Sequence, residues 1–167
     1  MSETNDGAVG EKELIVVGVD GSEPSKRALR WAARQAVVTS ADLAAVIAWE
    51  PPEAFGWMTP PIGVAVDFSA NARHLLEATL KSVFGAEPPV PVQIEVKEGR
   101  PALVLDRASG RADLLVVGNR GRGSIEEVLL GSVSLHCVFH AACPVVVVRG
   151  RQPSSASTPS RPDDLPA

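Results

Sequence analysis

LIVVGVDGSEPSKRALRWAARQA, residues 14 to 36, holds the two signals that decide the fold. Its first part, Leu14–Asp20 (LIVVGVD), is a short apolar run suited to a buried strand. Ser22 can cap a helix, and Pro24 suits the first helical turn, where an N–H is not needed. Ala28, Leu29, Ala32, Ala33, Ala36 and Val37 then recur at helical spacing.

The same alternation continues outward from this stretch. Leu43–Trp49 (LAAVIAW) predicts a second buried strand, followed by a Pro-rich loop from Glu50 to about Gly63. A helix is expected from about Val66 to Phe84, with Ala72, Leu76, Leu80 and Val83 on one face. Val90–Val96 predicts a third strand, Pro101 a short helix ending near Gly110, and Asp113–Val117 a fourth strand. After a Gly-rich segment come a helix from about Gly131 to Ala141 and a last strand, Pro144–Val148 (PVVVV). Strands alternating with helices pair in parallel through right-handed crossovers. Apolar strands without a polar face imply a sheet covered on both sides. The prediction is an open doubly wound α/β domain. Such sheets bind ligands beyond the carboxyl ends of their strands, which points to Asp20, Trp49, Gly99 and Gly118.

Length and composition agree with one such domain. The chain has 167 residues, 45% of them hydrophobic and 22% charged, and its Val, Leu and Ala can fill a core. A net charge of −4 argues against general nucleic-acid binding, which needs a basic face. Cys137 and Cys143 are too few for a disulfide framework and form no Cys-x-x-Cys pair. Residues 1–12 read as a flexible polar arm, 13–150 as the domain, and the Ser/Pro-rich 151–167 as a disordered tail. No signal peptide and no membrane span is expected, so the expectation is a soluble cytoplasmic protein.

Three features converge in GNRGRGSIEEVLLGSVS, Gly118 to Ser134. Gly118, Gly121 and Gly123 permit positive φ and a close approach of backbone N–H groups to a ligand. Arg120 and Arg122 supply two cations, with no acid before Glu126. Gly131 and Ser132 open a helix whose free N–H groups and dipole favour an anion, and Ser132 and Ser134 add hydroxyls. The segment is neither a P-loop nor a dinucleotide fingerprint: no Gly-Lys-Ser/Thr is present, and position 126 is Glu where a third Gly belongs. On these features alone, an anion cradle and a purely structural turn both remain open.

The spacing Gly118-x-x-Gly121, nine residues, then Gly131-Ser132 resembles the ATP-binding signature of the universal stress protein family. VGVDGSEPSKRALRWAARQA, ADLLVVGNRGRG, LLGSVS and HAACPVVVVR are similar to that family's segments in the same order, covering about Leu14 to Arg149. Asn119 and Ser124 stand where Ser and Gly are commoner. The resemblance implies a five-stranded parallel sheet in order 3-2-1-4-5, homodimers, and a role in stress survival or dormancy. It also implies bound ATP, with or without Mg²⁺. The residues it places at the nucleotide are Val19, Asp20, Ala48, Gly118, Arg120, Gly121, Arg122, Gly131, Ser132, Val133 and Ser134.

Among these, Asp20 has two readings, a nucleotide contact through Mg²⁺ or the ribose and a cap for the following helix; the resemblance favours contact. Val19 and Ala48 would act through their backbones, Ala48 near the adenine. Trp49 either flanks the base or packs in the core. The loop PPEAFGWMTPPIG, Pro51 to Gly63, reads equally as a lid, a partner surface or ordinary packing. His136, Cys137, His140 and Cys143 are an unpromising metal set, because Cys137 would point away from the two His and Cys143 lies past the helix end. Cys143 reads as a small buried residue, His74 as solvent-facing, Trp31 as packed on the sheet or filling a helix gap, and Asp106, Arg107 and Arg111 as a solvated face.

In the implied order the Val-rich last strand lies at a sheet edge, where it invites pairing with a second copy through Val145–Val148. The leading functional expectation is a nucleotide-dependent regulatory module. A slow ATP-hydrolysing enzyme and a nucleotide-free scaffold are the competing readings. No nucleophile–base pair and no P-loop Lys supports catalysis.

Overall fold

Strands and helices alternate as β1 (Leu14–Gly18), α1 (Glu23–Thr39), β2 (Asp42–Trp49), α2 (Phe68–Phe84), β3 (Val92–Glu98), α3 (Pro101–Ser109), β4 (Leu114–Gly118), α4 (Ser132–His140) and β5 (Val145–Val148). The structure, a computed structural model, describes residues 12–51, 67–121 and 130–150. The expected tail and loop segment 52–66, all of the expected arm except Lys12, and Arg122, Gly123, Ser124, Glu126 and Glu127 lie outside the described residues.

The five strands form one parallel sheet in the order β3-β2-β1-β4-β5. Strand β1 is central; its Val17 stands opposite Ala45 on β2 and Val116 on β4. The first two crossovers step away from β1 in one direction and the next two in the other. Right-handed crossovers therefore put α1 and α2 on one face and α3 and α4 on the other. The strand order reverses between β1 and β4, which leaves a crevice at their carboxyl ends.

Two core layers follow from this winding. On one face, Ala28, Ala32, Ala33 and Ala36 of α1 are fully buried with Val17, Leu43 and Leu76. These small side chains let α1 lie close to the sheet. On the other, Val104 and Leu105 of α3 and Cys137 of α4 bury against Val16, Val46, Leu115 and Val117. Trp31 packs on the first layer and His74 is exposed, as expected.

Several element boundaries move for local reasons. Strand β1 ends at Gly18 rather than Asp20: Val19 N–H still donates to Val46 O at 2.9 Å, but Asp20 turns away to bond Ser22. Helix α2 begins at Phe68 because Asp67 caps it, Oδ1 accepting from Ala70 N–H at 2.9 Å. Strand β3 lies two residues downstream of the expected run; Pro91, without an N–H, precedes it.

The expectation of a sheet covered on both faces fails at β3. Val92, Ile94 and Val96 pack on the first core layer, but Gln93, Glu95 and Lys97 alternate with them on the other face. Glu95 accepts from Arg111 and lies 3.6 Å from Lys97, so Arg111 is tied to β3 rather than solvated alone. An edge strand bearing charges of both signs is protected against stray pairing.

Candidate functional site

The carboxyl ends of β1, β2 and β4 open on a cavity of about 320 Å³. Its apolar end is formed by Val46, Ile47 and Ala48 of β2, Leu75 of α2, and Pro101 and Leu105 of α3. Its polar end is formed by Asp20, Ser25, Arg120, Gly121 and the first turn of α4.

At that polar end, the turn after β1 is locked by its own side chains. Asp20 Oδ1 accepts from Ser22 N–H at 2.9 Å and from Ser22 Oγ–H at 2.6 Å. Ser22 caps α1 by accepting from Ser25 N–H at 3.3 Å, and Ser25 Oγ–H donates to Ser22 O at 2.9 Å. The two readings of Asp20 thus coexist. Its carboxylate lines the cavity and also braces the residue that caps the helix.

Glycines of the β4 loop act here through size. Neither Gly118 nor Gly121 has positive φ, contrary to the reason for which the sequence singled them out. A Cβ on Gly118 would lie 2.7 Å from the Pro24 carbonyl carbon, so only Gly lets α1 approach the end of β4. A Cβ on Gly121 would lie 2.9 Å from Asp20 Oδ2. The loop backbone and the carboxylate are therefore in close contact.

Helix α4 presents its start to the same space. Gly131 is the N-cap and has no side chain to offer, so no side-chain cap bond forms. The first N–H to find a helical acceptor is that of Leu135, to Gly131 O at 2.9 Å. Those of Ser132, Val133 and Ser134 have no acceptor among the described residues. Three N–H groups and the positive end of the helix dipole thus converge beside Arg120, a setting that suits an anion.

Two bonds fix this helix start against β4. Gly131 N–H donates to Asn119 O at 2.8 Å, and Ser134 Oγ–H donates to Gly118 O at 2.6 Å. Ser134 lines the cavity, but its buried hydroxyl has already given its proton to the protein. That bond braces the helix start against β4.

Val19, Asp20, Ala48, Gly118, Arg120, Gly121, Gly131, Ser132, Val133 and Ser134 all line this one cavity. Arg122 lies outside the described residues. Sequence reasoning missed Leu75, Pro101 and Leu105. The carboxyl-end rule pointed to Gly99, two residues short of Pro101, and nothing in the α2 pattern marked Leu75. Trp49 and Gly99 do not line the cavity. Trp49 stacks instead on Phe68, ring centroids 6.3 Å apart and planes 12° apart, which removes its reading as a flank of the base.

The His/Cys set forms no site. The rings of His136 and His140 touch at a tilt of 35° with centroids 4.4 Å apart, while Cys137 is buried in the core. No group of three or more His, Cys, Asp or Glu able to share a metal ion occurs among the described residues. Burial pushes the Cys137 thiol up to about 11, and Cys143, half-buried rather than buried, is also raised by desolvation. Neither is an activated nucleophile.

Fold and cavity together define a class: a doubly wound α/β domain with an anion-favouring cradle at its topological switch point. Residues 13–149 match the model of the universal stress protein family, and the chain belongs to that family. A universal stress protein of Mycolicibacterium smegmatis is 41% identical over a 143-residue alignment that covers 81% of this chain and 48% of that one. The chain spans about half the length of the curated relatives it matches. Among solved structures, UspA from Lactobacillus plantarum shares the fold, with a TM-score of 0.65, 24% identity, and coverage of 83% of this chain and 99% of that one. A universal stress protein solved in complex with cAMP matches with a TM-score of 0.57 at 26% identity, over 81% of this chain and 96% of that one. No helix among the described residues is long and apolar enough to cross a membrane.

Proposed function

We propose that this chain is a nucleotide-binding regulatory module of the stress response, working in the cytoplasm and holding ATP at the carboxyl edge of its sheet. One observation carries this reading: the cavity that opens between β1 and β4 joins an apolar slot to a cradle of unsatisfied N–H groups and Arg120. A base fits the slot walled by Ile47, Leu75, Pro101 and Leu105, and phosphates fit the cradle. Val19 N–H is already given to Val46, so the Val19 carbonyl and the Ala48 backbone are the groups left to read the base edge. Gly118, Gly121, Gly131 and the N–H groups of Ser132, Val133 and Ser134 surround the phosphates, and Arg122 extends the cation set. Asp20 is the one carboxylate lining the cavity among the described residues, and it would be a protein ligand of any Mg²⁺ that accompanies a polyphosphate. The family's cAMP complex supports an adenine nucleotide as the ligand class.

The module works as a homodimer paired through Val145–Val148. Strand β5 ends the sheet on one side and carries four Val residues with no charge, in contrast to the charged β3 edge.

The test is direct. Mass spectrometry of material released from freshly purified protein should find an adenine nucleotide, and calorimetry should give saturable binding of ATP. Arg120→Ala should weaken that binding roughly 10- to 100-fold, the range expected for a hydrogen bond to a charged group. Protein that carries no nucleotide and gives no heat with ATP, ADP, AMP or cAMP at millimolar concentration would end this reading.

A further inference from the structure

Helix α3 packs on β1, β2 and β4, and so leaves the polar face of β3 open on its outer side. A second cavity of about 310 Å³ lies in that angle. Glu95 and Lys97 of β3 form its floor, and Val104, Arg107, Ala108 and Arg111, from α3 and the turn after it, form its wall. Glu98 stands at its upper end. Three cations and two carboxylates thus line it, so this groove is positive in a chain whose net charge is −4. It matches the first cavity in volume, a size that holds small molecules.

The charges form two rungs across the groove. Gly99, just past the top of β3, sets their levels, because a Cβ there would lie 3.4 Å from Val104 Cγ2. Helix α3 descends from that point alongside β3. Lys97 is about 7 Å below Gly99 at the strand rise, and Arg107 is about 4.5 Å below Val104 at the helical rise. The two cations therefore occupy nearly one level, on opposite sides of the groove. Glu95 and Arg111 form the level beneath.

That lower rung is closed. Arg111 donates to Glu95 Oε1, and the Glu95 side chain is only 18% exposed. The upper rung is open. Lys97 Nζ lies 3.6 Å from Glu95 Oε2, beyond hydrogen-bond range. The Arg107 guanidinium has no hydrogen bond or ion pair among the described residues. Two cations that face each other with no carboxylate between them repel, and an oxyanion placed between them reverses the sign of that interaction. A guanidinium offers paired donors that match a carboxylate or a phosphate, and an ammonium adds a point charge. Val104 and Ala108 supply apolar surface beside them.

We propose that this groove is a second ligand site, for a small organic acid whose oxyanion head sits between Lys97 and Arg107 and whose short aliphatic body lies on Val104 and Ala108. The Glu95–Arg111 pair closes the lower end and keeps Arg111 in place. Helix α3 is the partition between the two cavities, with Pro101 and Leu105 toward the first and Arg107 and Ala108 toward the second. The second site does not depend on what the first one holds.

The experiment is a titration of the nitrogen-15-labelled full chain, followed by amide chemical shifts at low ionic strength, where surface charges are least screened. Butyrate and butyl phosphate are the probes, alike in body and different in head. At least one should shift the amides of residues 95–98 and 104–111 saturably, with the millimolar affinity expected of so small a ligand. The tighter probe identifies the head as carboxylate or phosphate. Arg107→Gln and Lys97→Gln should each weaken binding about three- to tenfold, and Arg107→Lys should restore part of the loss. Both Gln variants alter exposed side chains, and a dispersed amide spectrum will establish that they fold. Inorganic phosphate, which has no body, should bind more weakly than butyl phosphate. The site is overturned if neither probe gives saturable shifts at tens of millimolar, if the shifts are confined to residues 132–134, or if both Gln variants bind as wild type does.

Discussion

Gly118 and Ser134 both line the cavity at the carboxyl edge, and each has a packing role there that spacing alone did not reveal. Gly118 is needed because Pro24 occupies the space of its missing side chain, and its φ is ordinary. Ser134 faces the cavity, yet its hydroxyl proton is held by Gly118 O. Neither fact could be read from spacing, because each depends on an atom distant in sequence. Cys137 makes the same point and offers a measurement. Burial, with a smaller effect from Asp106, lifts its thiol from 9.0 to about 11. The folded chain keeps this proton at pH values where the unfolded chain releases it. The stabilisation is complete below about pH 9 and is lost as pH rises through about 11. Denaturant midpoints measured from pH 8 to 11 should therefore fall more steeply for the wild type than for Cys137→Ala. Parallel curves would mean that this thiol does not titrate as a buried group.

At the scale of the element, helix ends carry much of the specificity. Helix α1 begins with a filled cap and α4 with an empty one. Ser22 holds the first turn of α1 and is itself held by Asp20, whereas Gly131 leaves the first N–H groups of α4 for something else. Ser22→Ala removes the cap and one partner of the Asp20 carboxylate together. A loss of about 1–2 kcal/mol in unfolding free energy is expected from the cap alone. Urea denaturation measures it, and an unchanged midpoint would show that α1 does not depend on this cap. The sheet edges differ in a similar way. Charges on β3 discourage pairing, and the four Val residues of β5 do not. That contrast was half legible beforehand: the Val run is plain in the sequence, and Val92, Ile94 and Val96 already alternate with Gln93 and Glu95, but only the strand's position at Val92–Glu98 brought Lys97 and Glu98 into it.

For the whole molecule, the reversal of strand order between β1 and β4 is what makes a site at all. It draws residues from β1, β2, the β4 loop, α3 and α4 to one crevice. A ligand that bridges these elements should stabilise all of them together. At a free concentration 100 times its dissociation constant, a nucleotide should add about 2.7 kcal/mol to the unfolding free energy. Differential scanning calorimetry with ATP should show the corresponding rise in Tm, and Arg120→Ala should need correspondingly more ligand to reach it. No rise with any adenine nucleotide at millimolar concentration would count against a site of this kind.

What the sequence by itself determined was the alternation of strands and helices, the parallel winding it forces, and most of the residues at the carboxyl edge. These follow from local hydrophobic period, cap chemistry and glycine placement, which neighbouring residues carry within themselves. The strand order was available through family resemblance, since local pattern does not say which strands lie side by side. Only the tertiary structure decided that Trp49 stacks on Phe68 outside the cavity, that Leu75, Pro101 and Leu105 wall the apolar slot, and that the Ser134 hydroxyl donates to Gly118 O. Each of these is a contact between elements, settled by how the helices pack across the sheet. The stretch from residue 14 to 36 announced a strand and a helix; the turn joining them became one wall of the cavity only when β4 and Gly121 were packed against it.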